Sequence, residues 1–278
     1  MQRIQQLELM GVISLIGWGS SAVIAHASTP AYQRSLPVQV THHDYATNSR
    51  TGVVYQLKKR TINLQPKYQL AHFQKTTWTW TQQMDLTING KPYRYYYVRD
   101  KKGHAGWVWR RYLTPTTHKL VVPLIGQPPQ LPTGCEITAT TMMLQYAGAR
   151  MNKVTLAKEM PRSNDPNKGF VGNPFHAYGH GLYVYPKGLL GVVRKHVGTA
   201  KNMTGNSLKQ LKLKVAANHP VVAWVKGVDG FKTHSLTVTG YTPKHIFYND
   251  PWTKKRVSMK NATFEKHWRQ NGRRALSY

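Results

Sequence analysis

"LPTGCEITATTMMLQYAG" occupies residues 131–148 and holds the single cysteine of a 278-residue chain. Glu136 to Ala147 reads as a helix closed by Gly148. Cys135, preceded by Pro132, Thr133 and Gly134, therefore stands where the chain enters that helix. Free backbone N–H groups and the positive end of the helix dipole favour a thiolate there, so the position predicts a depressed thiol pKa. A buried structural cysteine gains nothing from that place, although many free cysteines are simply buried.

A nucleophilic thiol needs a base, and the base needs an orienting group. His234 begins the apparent strand "HSLTVTGY" and Asp250 ends "HIFYND", with a turn around Thr242-Pro243 between them. In an antiparallel hairpin centred on residue 242 the two are cross-strand partners, their Cβ atoms about 5 Å apart. The aspartate would fix the imidazole tautomer and leave the other ring nitrogen facing the thiol. Each residue has a plainer reading, a surface histidine among 13 or an Asp in a turn before Pro. The three types in the required order, with a hairpin joining two of them, point to thiol catalysis.

The surrounding sequence divides by texture. The apolar run Leu9 to Ala25 ends in Ala25-His26-Ala27, which predicts a secretory signal over residues 1–27, with an uncleaved anchor as the alternative. No other run approaches the ~20 apolar residues of a membrane span, so no stable membrane insertion is expected after cleavage. Residues 28–50, polar and containing Pro30 and Pro37, read as a linker. Residues 51–116 carry short runs rich in Val, Tyr, Trp and Thr, with the hairpin dipeptide Asn89-Gly90 between two of them, and read as a small all-β module. Residues 117–278 alternate a short strand at Val121-Val122, helical patterns and closing strands, which is an α+β pattern. Within it, the Gly- and Pro-rich stretch 162–188 is long enough to be a functional loop.

The charge is strongly basic: 39 Lys and Arg against 10 Asp and Glu, a formal net +29. Such a chain attracts a polyanion. Export argues for an anionic cell-wall polymer and against nucleic acid, so the expected location is extracellular or wall-associated. In the β-module, Trp78, Trp80, Trp107 and Trp109 divide between core and surface in this reading. No cofactor motif is present: there is no Gly-x-Ser-x-Gly elbow, phosphate loop or dinucleotide fingerprint. His176 and His180 are four apart, but the glycines around them argue against one helical face aimed at zinc, and no metal is expected.

Two resemblances follow. "GWVWRRYL" (106–113) resembles the last strand of bacterial SH3-like and GW-type wall-binding modules, which implies an SH3-like barrel that binds anionic wall polymers. "QPPQLPTGCEITATTMMLQYAG", "DPNKGFVGNP", "HPVVAWVKG", "THSLTVTGY" and "YNDPW" together resemble papain-like cysteine peptidases of the bacteriocin-leader-processing type, in their secreted Gram-positive branch, often called C39-like. That resemblance implies Cys135 as nucleophile, His234 as general base and acid, Asp250 as orienter, and a glutamine upstream of the cysteine as oxyanion donor. Gln127 and Gln130 both qualify by proximity, and Gln127, which follows the strand end, is preferred. The chain departs from leader peptidases at Glu136, where they usually carry glycine, so the identity of the peptide or amide substrate does not transfer. An acyltransferase at the same site, or a wall-binding protein without catalysis, stands as the alternative.

Overall fold

The computed structural model of the protein describes residues 32–58, 64–178 and 182–278. The expected signal segment lies outside them, as does His180.

Two antiparallel sheets organise the described residues. The first contains β1 (Tyr32–Arg34), β2 (Val38–Thr47), β3 (Val53–Leu57), β4 (Leu64–Gln69), β5 (Thr77–Ile88), β6 (Lys91–Arg99), β7 (Ala105–Trp109) and β8 (Leu113–Pro115). Its order is β4-β3-β7-β6-β5-β2-β8, with β1 added on β5. The β5–β6 hairpin is the longest pairing, and its turn is Asn89-Gly90 with φ of 50° and 76°. Those left-handed values are what a two-residue hairpin turn needs and what Asn and Gly tolerate. The stretch read as a linker is corrected here. Residues 38–47 form β2, which pairs with both β5 and β8 and buries Tyr45 in the sheet's core. Pro37 lies between β1 and β2 and interrupts neither, which is where proline is tolerated at a sheet, while Pro30 lies outside the described residues.

Trp78, Val54, Leu70, Tyr96, Val98, Val108 and Leu113 complete that small core. Trp78 and Trp107 are buried while Trp80 and Trp109 are partly exposed. Trp80 stacks on Tyr96 with ring centroids 4.2 Å apart.

The second sheet has β9 (His118–Lys119), β10 (Lys201–Asn202), β11 (Val221–Val225), β12 (His234–Tyr241), β13 (His245–Asp250), β14 (Lys255–Lys260) and β15 (Ala275–Ser277). They run β10-β15-β11-β12-β13-β14, with β9 on β12. The short strand expected at Val121-Val122 lies instead at His118–Lys119, with Val121 exposed and Val122 buried. Around the sheet pack α1 (Cys135–Tyr146), α2 (Lys153–Glu159), α3 (Pro186–Val197), α4 (Leu208–Ala216) and α5 (Asn261–Arg269). α2 is capped by the Asn152 side chain and α4 by a Ser207/Gln210 capping box.

Every residue of β11 and β12 is buried, as is every residue of α1 from Cys135 to Leu144. A helix buried all round is a central core element rather than an amphipathic cover. α1 lies against β12, and the Thr237 hydroxyl donates to the Ala139 carbonyl across the contact, 2.9 Å. The start of α1 is thereby brought to the start of β12, and Cys135 to the neighbourhood of His234. No described helix is long and apolar enough to cross a membrane.

Candidate active site

His234, at the first position of β12, is 1% exposed. Its Nε2 lies 3.0 Å from Asp250 Oδ1 at the end of β13. The pair meets as expected, but the register differs. β12 and β13 pair Thr237 with Asn249 and Val238 with Tyr248, then shift by one residue at a bulge before pairing Gly240 with Phe247. Thr239 is the extra residue, and its carbonyl accepts the Leu120 N–H at 2.7 Å. A Cβ on Gly240 would stand 2.7 Å from the His118 carbonyl, so the close pass of β9 requires glycine there. The turn also closes later than residue 242: Thr242 N–H donates to the His245 carbonyl, and Thr242 Oγ1 accepts from the His245 N–H. Continued to the strand end, this register sets Asp250 opposite Leu236. His234 and Asp250 are therefore diagonal neighbours on one face, within reach of long side chains.

Asp250 is held by more than the imidazole. Its Oδ1 also accepts the Trp252 N–H at 2.8 Å and the Thr253 N–H at 3.4 Å. Burial pushes its pKa up, but the hydrogen bonds from His234 and Asp229 and the attraction of His234 outweigh burial and leave it below the usual carboxylate range. Asp229, in the turn before β12 at φ 51°, completes the group. Its Oδ2 lies 3.8 Å from His234 Nε2. Hydrogen bonding to Asp250, burial and Asp250's charge raise the Asp229 pKa to about 6, so of the two carboxyls Asp229 is the one that takes up a proton first as pH falls. Phe231 stacks on the His234 ring at 5.1 Å, and Trp252 meets Phe231 edge-on at 5.1 Å, forming an aromatic cover. His234 Nδ1 has no hydrogen-bond partner among the described residues.

Cys135 is the first residue of α1, as the sequence indicated, with Gly134 as the preceding cap. The expected depressed pKa is not what this environment produces. Burial, then the charge of Glu136 and the hydrogen bond to it, push the Cys135 thiol well above its usual value; the backbone N–H groups of Ser235 and Glu136 pull the other way and do not prevail. The thiol donates to Glu136 Oε2 at 3.2 Å. Interaction with the Ser235 amide places the sulfur beside the residue that follows His234.

Gln127 is 3% exposed, whereas Gln130 is exposed, so the structure separates the two candidates. The Gln127 backbone N–H donates to the Pro251 carbonyl at 2.7 Å, and its Nε2 donates to the Pro132 carbonyl at 2.7 Å. Gln127 thus spans the residue after Asp250 and the turn before Cys135, with a second amide hydrogen to spare. Lys153, not singled out in the sequence, secures this loop: its ammonium donates to the carbonyls of Gly126, Gln127 and Pro128. A lysine at a helix start ordinarily points to water, and no pattern distinguished this one.

His176 stands exposed in the loop ahead of α3, stacked on Tyr178 at 5.7 Å. The metal-competent grouping among the described residues is Asp229, His234 and Asp250. The hydrogen bonds within that trio account for its geometry without an ion.

The Peptidase_C39 like family matches residues 119–276. An uncharacterized protein of Bacillus subtilis strain 168, YvpB, is 32% identical over 53% of this chain and 70% of its own length. A crystal structure described as a C39-like peptidase from Bacillus anthracis superposes with a TM-score of 0.53 at 31% identity, covering 58% of this chain and 97% of that one.

Proposed function

Since the chain belongs to the Peptidase_C39 like family, we propose that it is a papain-like cysteine peptidase that hydrolyses a peptide or amide bond. The reading is carried by one observation: a buried His234–Asp250 pair beside the cysteine that opens α1. Asp250 fixes the tautomer by accepting the Nε2 proton and leaves Nδ1 for the thiol. Cys135 passes its proton to Nδ1 and its sulfur attacks the carbonyl carbon. The oxyanion is held by the Cys135 backbone N–H and the spare Gln127 amide hydrogen. His234 then protonates the leaving amine, and a water deprotonated by His234 releases the acyl group.

The N-terminal sheet, in this reading, is an SH3-like module that holds an exported enzyme on anionic wall polymers. Support comes from its fourteen Lys and Arg against three Asp and Glu over residues 28–116. A further support is a cleft of about 1110 Å³ where this sheet meets α4, lined by Tyr45, Trp80, Arg110 and Arg111 among others.

Digestion of a peptide mixture, with new termini mapped by mass spectrometry, tests the catalytic reading. Cys135→Ala is expected to keep the fold and lose cleavage by at least ~10⁴-fold, with only background remaining. Equal cleavage by both proteins would remove the reading. Repeating the digestion with an added amine separates hydrolysis from acyl transfer by the products formed.

A further inference from the structure

The mechanism above leaves one buried ionisable group unused. Glu136 is 1% exposed, one oxygen receives the Cys135 thiol proton at 3.2 Å, and the other, Oε1, is buried with no hydrogen-bond partner. A buried carboxylate without a cation or a full set of donors is costly, and a core position keeps one only against that cost. Among the described residues no arginine or lysine acts on it. The titratable group facing Glu136 is Cys135, and from the segment before α3 it meets the backbone amide of Val184. From β12 the sulfur meets the backbone amide of Ser235.

We propose that Glu136 is a proton-controlled brake on the nucleophile: charged, it holds the thiol proton and keeps the sulfur neutral; protonated, it releases the sulfur to His234. Glu136 is a positioning residue here, since it acts through Cys135 and touches no substrate. When Glu136 takes a proton from solvent, its charge no longer opposes a thiolate. The S–H bond can then break toward His234 Nδ1, forming N–H and leaving the electron pair on sulfur. Burial raises the Glu136 pKa to about 7, so the exchange falls in the range an extracellular enzyme meets. The enzyme would be favoured by mildly acidic surroundings and restrained above neutrality. This rests on Cys135 and His234 being the catalytic pair.

Alkylation of Cys135 by iodoacetamide from pH 5 to 9 tests it, since alkylation reads thiolate whether or not anything is hydrolysed. Glu136→Gln keeps the shape and an acceptor but cannot carry the charge. The variant is expected to alkylate about tenfold faster than the parent at pH 8, with the two rates converging at pH 5. A variant with the parent's rate and pH profile would overturn the brake while leaving the peptidase reading intact. Should the variant fail to fold, carboxyl-¹³C glutamate labelling of the parent decides, because the chain has only four glutamates. One carboxyl titrating near neutrality, and shifting when Cys135 is alkylated, supports the brake. Four carboxyls titrating in the ordinary range contradict it.

Discussion

The two sheets bury different things. The core between Tyr45 and Leu113 is aromatic and aliphatic, and among its described residues the buried polar side chain is Thr47. Between Leu120 and Ser277 the protein buries Gln127, Glu136, Lys153, His234, Asn249 and Asp250 alongside a far larger apolar core. Burying such groups weakens a fold unless each finds a partner, and here Gln127 Oε1 and Glu136 Oε1 find none, nor do the hydroxyls of Thr138, Thr140 and Ser235. The first region is built to be stable and to present basic and aromatic residues outward. The second spends stability to hold ionisable groups in one place, which is the usual sign of a site that performs chemistry.

If that contrast is right, damage to each region has a different consequence. Asp250→Asn should have the largest effect within the second region: the imidazole loses its orienting charge, and kcat/KM on a cleaved peptide should fall by about 10³-fold. The pH dependence of stability should change with it. Asp250 is held below the usual range, so the stability it contributes is complete above about pH 4 and lost as pH falls further. Thermal melts of parent and variant should therefore converge under strong acid. Parent-level activity in the variant would show that the pair is structural only.

Trp78→Ala should break the first region instead. Trp78 is fully buried, and its Nε1 donates to Thr47 Oγ1 at 3.2 Å. Truncation should cost about 3–5 kcal/mol in that sheet. Cleavage of a short soluble peptide should stay within about twofold of the parent at temperatures where the second region is folded. Co-sedimentation with purified cell walls should fall. Loss of both together would show that the two regions do not act separately.

The smallest expected effect is that of Asp229→Asn. A carboxyl raised to about 6 binds its proton more tightly in the folded protein, so it lowers stability as pH rises from about 4 through 6. Asparagine keeps a donor for Asp250 and removes that loss. The variant's melting temperature should match the parent's near pH 4 and exceed it by a few degrees at pH 7–8, as scanning calorimetry would read. A variant less stable than the parent at pH 7 would contradict the raised Asp229 pKa.

How much of this was legible in the sequence depended on whether the deciding interaction was local. Asn89-Gly90 and the alternating strands around it announce their conformation through backbone preference alone. The opening of α1 at Cys135 was readable for the same reason. Residues 38–47 were misread because their strand is recognisable only through pairing with β5 and β8, far along the chain. The His234–Asp250 contact was predicted with the wrong register because the turn closes beyond residue 242, through the Thr242–His245 hydrogen bonds; the bulge where β9 passes Gly240, a tertiary event, takes back one residue of that shift. Glu136 was visible as a departure from a family pattern, but its contact with the thiol was not, and with it went the direction of the Cys135 pKa. Asp229 before Gly230 reads as a turn, and Lys153 reads as a surface helix residue. Only the folded chain shows that one stands against His234 and Asp250 and the other ties down the Gln127 loop.

The central claim is that Cys135, served by His234 and Asp250, forms a covalent acyl intermediate. Intact-mass spectrometry during reaction with an activated peptide ester tests it most directly. The account predicts a transient mass increase equal to the acyl group, located on Cys135 by digestion and absent from His234→Ala at neutral pH. Turnover of the ester with no adduct on Cys135, or with the adduct on another residue, would contradict it.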